Sequence, residues 1–100
     1  MYISFRTRQL EKCYLSQQAG IREWGPEVAC RFVQRVNVLH AIREVNDLRA
    51  FPQLNFHELK GNRKGQYAIN LTGFWRLIFT LAGDNPVIIK VQEVSKHYGD

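Results

Sequence analysis

The chain has 100 residues, 45% of them hydrophobic and 12% aromatic, which argues against a disordered segment and suits a single domain, residues 1–100, with one core. The formal net charge is +5, with Lys and Arg in both halves instead of a tail; that favours an anionic partner, nucleic acid first, although an ordinary basic soluble protein has the same balance. Cys13 and Cys30 lie far apart without CxxC spacing, so neither a zinc site nor a disulfide scaffold is signalled, and with no signal-peptide or membrane-spanning run the protein is expected in the cytoplasm, away from membranes.

Taken in order, Tyr2, Ile3 and Phe5 make a short strand. Thr7 is placed to cap a helix over Arg8–Glu23, which buries Leu10, Tyr14, Leu15 and Ile21 and breaks, if anywhere, at Gly20. Gly25-Pro26 stops that segment and starts another, since proline fits best at a first helical position. Val28, Phe32, Val36, Leu39 and Ile42 then recur at helical spacing and predict an amphipathic helix reaching about Val45. Arg31, Arg35 and Arg43 fall on its polar flank as solvated charges, and His40 reads as a packing or surface residue. Leu48, Ala50 and Phe51 form a short turn beneath the sheet before Pro52.

After Pro52 the period changes from 3.6 to 2. Phe56–Lys60 is a strand, followed by the basic turn Gly61-Asn62-Arg63-Lys64-Gly65 and a hairpin of Gln66–Leu71 and Phe74–Leu81 around Thr72-Gly73. Alternation puts Tyr67, Ile69 and Leu71 opposite Ala68 and Asn70, and Phe74, Arg76, Ile78 and Thr80 opposite Trp75, Leu77, Phe79 and Leu81. Gly83-Asp84-Asn85-Pro86 turns the chain into a last strand, Val87–Val94, with Val87, Ile89, Val91 and Glu93 on one side and Ile88, Lys90, Gln92 and Val94 on the other. The expected fold class is α+β, in the order β-α-α-β-β-β with a further strand, the helices packed on one face of a mostly antiparallel twisted sheet.

No serine elbow, phosphate loop, paired carboxylates or metal-ligand cluster is present in the sequence. Proton-handling and cationic residues gather instead in the second half: His57, Lys60, Arg63, Lys64, Arg76, Lys96, His97 and Tyr98. Such a set suits phosphodiester cleavage without a metal or other cofactor. A base takes the ribose 2′-hydroxyl proton, cations stabilise the phosphorane, and an acid protonates the leaving 5′-oxygen. Histidine titrates near neutrality, and arginine's planar fork holds two phosphate oxygens. Arg76 matters most here, because a cation in mid-strand sits on a rigid platform and can be aimed. A binding module with structural histidines fits the same residues without the chemistry.

The stretch HELKGNRKGQY followed by WRLIF, after a strand-helix-helix opening and before a closing strand that ends in His and Tyr, resembles the HigB-type branch of the RelE/ParE toxin superfamily, the plasmid-maintenance killer proteins. The resemblance runs over essentially the whole chain and is most specific over His57–Phe79. It implies a RelE-like fold and the toxin of a type II toxin-antitoxin system. Such a toxin is a metal-independent endoribonuclease (mRNA interferase) acting on mRNA in the ribosomal A site, and a HigA-like helix-turn-helix antitoxin neutralises it and alone contacts operator DNA. Carried over by motif, His57 and Lys60 match the histidine and lysine of H-x-L-K-G, and Arg76 matches the arginine of W-R-[IL]. The family's closing Asp-Tyr-His is here Lys96-His97-Tyr98, so either His97 or Tyr98 takes the 2′-proton. Arg76 and Lys60 then stabilise the phosphate, His57 assists proton transfer or positioning, and Arg63, Lys64 and Lys96 hold RNA backbone. A ParE-like poison of DNA gyrase is the alternative within the superfamily.

Overall fold

Each helix begins where a side chain or a proline relieves its first turn. In the computed structural model, which describes residues 1–97, the Thr7 hydroxyl accepts from the Leu10 amide at 3.1 Å and starts α1, Arg8–Leu15. Ser16 does the same for α2, Gln17–Trp24, accepting from the Ala19 amide at 3.3 Å. The helix expected over residues 8–23 is therefore broken at Ser16 and not at Gly20. Gly20 stays inside α2 because that helix lies tight on the next one: a Cβ built there would sit 3.0 Å from the Ala29 Cβ. Gly25, at φ 85°, turns the chain and Pro26 opens α3, Pro26–Ala41.

α3 ends four residues short of the expected Val45. Glu44 and Asp47 form a reciprocal capping box around a 3₁₀ turn, Val45–Ala50, and Asp47 Oδ2 accepts from the Arg43 and Glu44 amides, both at 3.1 Å. These local bonds draw the backbone out of the helix. Leu48 is buried beneath this turn, but Ala50 and Phe51 are exposed.

The strands are β1 Tyr2–Phe5, β2 His57–Glu58, β3 Gln66–Thr72, β4 Trp75–Ala82 and β5 Ile88–Lys96. They form one sheet in the order β1-β5-β4-β3-β2, antiparallel except for the parallel pair β1 and β5. The helices cover one face. Val28, Phe32, Val36 and Leu39 of α3 meet Ile69, Leu71, Leu77, Phe79, Ile89 and Val91 there, all at most 5% exposed. The other face carries a small separate cluster of Leu59, Ala68 and Ile78. The architecture is thus the expected α+β arrangement.

One irregularity reassigns half a strand. Phe79 pairs with Val91 but Ile78 pairs with Glu93, so Gln92 is an extra residue, a β-bulge on β5. A one-residue slip exchanges the faces of everything beyond it. Val94 consequently packs in the helix-side core opposite Leu77, while Glu93 and Ser95 face the other way opposite Ile78 and Arg76. The unbroken alternation expected for this strand, with Glu93 beside Ile89 and Val91, does not hold past Gln92. Among the described residues no helix is long and apolar enough to cross a membrane.

Candidate active site

On the helix-free face, one cleft of about 430 Å³ is lined by Asn55, His57, Glu58, Leu59, Lys60, Arg63, Arg76 and His97. Four separate pieces of chain supply it. Arg76 comes from the middle of β4, between Asn70 on β3 and Ser95 on β5. It is 7% exposed and is the one buried charged side chain among the described residues. Burying a charge is costly. Guanidinium is the cation best suited to it, being weakly hydrated and charged at any physiological pH.

His57 stands on β2 opposite Ala68. Its Nδ1 lies 2.7 Å from the Asn55 carbonyl oxygen. A carbonyl only accepts, so Nδ1 carries the hydrogen, and in the neutral ring Nε2 is the nitrogen that takes up a proton. Asn55 can present that carbonyl because it adopts the left-handed conformation, φ 46° and ψ 49°, at the end of the short turn Pro52–Leu54. His97 follows β5, and its amide donates to the Phe74 carbonyl at 2.8 Å, which extends the pairing one step beyond the strand. Because of the bulge, the run Glu93, Ser95, His97 lies on the Arg76 side of the sheet.

The basic turn is built as well as charged. Glu58 Oε2 accepts from the Gly65 amide at 2.9 Å, closing the loop around the 3₁₀ turn Gly61–Arg63. Arg63 donates to Gln66 Oε1 through Nη2 at 2.8 Å and Nε at 3.2 Å, and its Nη2 lies 3.6 Å from Glu93 Oε2. Arg63 is thereby held as a strap reaching toward β5. With side chains 38% and 42% exposed, the ion pair itself contributes at most about 1 kcal/mol.

Of the residues singled out in the sequence, His57, Lys60, Arg63, Arg76 and His97 share this cleft. Lys64 lines a shallower depression of about 290 Å³ next to it, with Glu58, Leu59 and Lys60 in common. Lys96 does not line the cleft: it pairs with Trp75 on β4, and its ammonium lies 6.0 Å from the centre of the Trp75 ring. Tyr98 lies outside the described residues. Asn55 and Glu93 were not anticipated. Asn55 had a signal in its residue type, since asparagine tolerates positive φ. Glu93 had one in its apparent place among core residues, where a carboxylate does not belong. Arg35, expected as a solvated charge, is half-buried with its Nε donating to the Asn70 carbonyl at 2.9 Å. Burial first, and the neighbouring charge of Arg31 second, pull its pKa below the ordinary value.

Among curated proteins none matches this sequence. Solved structures do match the fold. A YoeB/ParE toxin from Agrobacterium tumefaciens aligns with a TM-score of 0.60 at 17% identity over 98% of this chain and 100% of its own. YafQ from E. coli strain BL21(DE3) aligns with a TM-score of 0.56 at 14% identity over 94% and 90%. The YoeB-YefM complex from Staphylococcus aureus aligns with a TM-score of 0.53 at 20% identity over 98% of each chain. Residues 3–93 match the family model of the HigB-like toxins, described as RelE-like toxins of the type II toxin-antitoxin system HigB. With nearly its whole length inside that match and a RelE-like sheet beneath its cleft, the chain belongs to the HigB-like family of type II toxins.

Proposed function

We propose that this toxin is a metal-independent endoribonuclease that cuts mRNA in the ribosomal A site and so stops translation in the cytoplasm. The observation that carries the reading is the shared cleft: a buried guanidinium, an ammonium and two imidazoles from distant parts of the chain line one concavity. In the proposed reaction His97 or Tyr98 takes the proton from a ribose 2′-hydroxyl, and that oxygen bonds to the adjacent phosphorus. Arg76 and Lys60 hold the charge that builds on the phosphorane oxygens. The bond from phosphorus to the 5′-oxygen then breaks, and the leaving oxygen takes up a proton in net exchange for the one the base removed, with His57 assisting in that transfer or in positioning. The products are a 2′,3′-cyclic phosphate and a 5′-hydroxyl, with no atom unaccounted for. Lys64 steers the RNA backbone from beside the cleft, and Lys96 does so from the Trp75 edge.

The partner that restrains such an activity is a protein antitoxin. The Staphylococcus aureus complex of YoeB with YefM supports a toxin of this fold working as half of a pair, and the HigB-type resemblance suggests a helix-turn-helix protein that carries the DNA contacts. The test is to map RNA 5′ ends in cells after induction of the wild type and of Arg76→Ala. Cuts within translated codons, bearing 5′-hydroxyls and lost in the variant, are expected. Unchanged RNA ends together with broken DNA would replace this reading by gyrase poisoning, and full toxicity of Arg76→Ala would remove the assignment of that residue.

A further inference from the structure

The helix-free face does not stop at the cleft. Phe79 and Val91 are paired and buried in the core, so their neighbours Thr80 and Lys90, also paired, come out on the Arg76 side, and Ser4 of β1 lies beside Lys90. Arg6 follows Phe5, whose ring packs near Phe32, and emerges on the same side. Its Nε donates at 2.9 Å to the carbonyl of Gln92, the bulged residue, and the Gln92 amide group donates to the Thr80 hydroxyl at 2.8 Å. Arg6 is exposed, and among the described residues its two terminal amino groups make no hydrogen bond. Lys90 is exposed as well and has no ion pair among those residues. The acids nearby leave this pair of cations unbalanced: Glu11 lines the depression beside Arg6 together with the cationic Arg8, and Glu93 is drawn toward Arg63.

We infer that Arg6 and Lys90 form a second phosphate-binding subsite, which holds the same single-stranded RNA whose reacting phosphate lies at Arg76. The inference rests on the proposed ribonuclease reading. Strand spacing and rise set both cations on the order of 13 Å from Arg76, a span crossed by a few nucleotides of extended strand. Between them lie Ile78, Thr80 and Gln92, with Glu93 opposite Ile78 and its carboxylate 3.6 Å from Arg63, which offsets its repulsion of the RNA. The bulge serves both ends: it swings His97 into the cleft, and it frees the carbonyl that orients Arg6, leaving that guanidinium's outer edge for phosphate.

The experiment measures binding of uncleavable 2′-O-methyl RNA, a trinucleotide and a nonanucleotide, by fluorescence anisotropy across a salt series. The wild type should bind the longer RNA more tightly and with a steeper salt dependence. Arg6→Gln/Lys90→Gln should lose that advantage, about tenfold at low salt, with the slope of log affinity against log salt reduced by about 1.4. Its affinity for the trinucleotide should not change. Lys90→Gln alone, which touches no hydrogen bond, should reduce the slope by about 0.7; an unchanged slope there would reduce Arg6 to a brace for the bulge and overturn the subsite. Equal loss on both lengths, or no length dependence in the wild type, overturns it too. So does a defect seen only with whole ribosomes, which would assign the cations to ribosomal RNA. Mapping cuts in cells tests the reaction and length-dependent binding tests the subsite, so the two can fail separately.

Discussion

The two faces of the sheet are built from the same strands and do opposite work. On the helix-covered face, Ile69, Leu71, Leu77, Phe79, Ile89 and Val91 are at most 3% exposed and make one continuous core with α3. On the other, Leu59, Ala68 and Ile78 make only a small apolar floor, and the residues around it are His57, Lys60, Arg63, Arg76 and His97. Adjacent residues of a single strand therefore answer to different demands. Removing one apolar side chain from the covered face costs folding free energy through lost burial and a cavity, whereas most changes on the other face leave the fold intact and alter what it can hold.

The sharpest way to break this division is to insert one alanine after Glu93. The added residue would take the place of Val94 opposite Leu77, so Val94 would turn outward and Ser95 and His97 would turn toward the helices, whereas deleting Gln92 would only make the strand regular and keep each on its present face. The insertion should abolish cooperative unfolding or, if the chain still folds, abolish toxicity, whereas Gln92→Ala should fold and lose about 1 kcal/mol with its bond to Thr80. Chemical denaturation of both variants checks this.

Neighbouring substitutions across the sheet give the next largest contrast. Phe79→Ala, at a 0% exposed position, should lower stability by about 3–5 kcal/mol. Thr80→Ala, one residue on and facing away, should cost about 1 kcal/mol. Urea unfolding midpoints at constant m-value would show the difference, and equal costs would mean that the two faces are not energetically distinct.

A smaller effect is expected from Glu93→Gln. Releasing Arg63 from its carboxylate should change stability by less than about 1 kcal/mol, yet raise affinity for RNA and steepen its salt dependence, because one negative charge beside the cleft is lost and one guanidinium is released. Weaker RNA binding would make the strap itself a part of the binding surface.

The smallest concerns the thiols. Cys13 is 1% exposed and Cys30 lies on the surface of α3. Burial, with the charge of Glu23 adding to it, pushes the Cys13 thiol above its ordinary pKa. A raised thiol pKa favours the protonated, folded form. Its contribution is complete below the unfolded thiol's pKa, about 8.5, and declines as the pH rises beyond that toward the folded value. A thiol reagent at neutral pH should therefore label Cys30 quickly and Cys13 only on unfolding. Labelling Cys13 at the same rate would contradict its place in the core.

The cleft and its surroundings were legible to different degrees. Arg76 could be placed from sequence, since β4 alternates regularly from Arg76 to Thr80 opposite Asn70 to Gln66, and the shift in pairing with β3 falls just beyond Asn70. The His57 and Lys60 segment could be found but not oriented, because the bond that sets the imidazole comes from Asn55 in a left-handed turn. Lys96 stands one residue before His97 in sequence, and its pairing places it beside Trp75, outside the cleft.

What this sequence determined by itself was everything with a short repeat: the amphipathic stretch of α3, the stop at Gly25-Pro26, the hairpin, and the gathering of cations and histidines in the second half. Those depend on interactions within a few residues, where side-chain size and backbone preference suffice. Only the tertiary structure decided that β1 would lie parallel to β5, and that Gln92 would bulge. It also decided that Glu93 and His97 would change sides. A bulge is chosen by the fit between two strands and by what each face must bury, and neither is visible until the partner strand is in place.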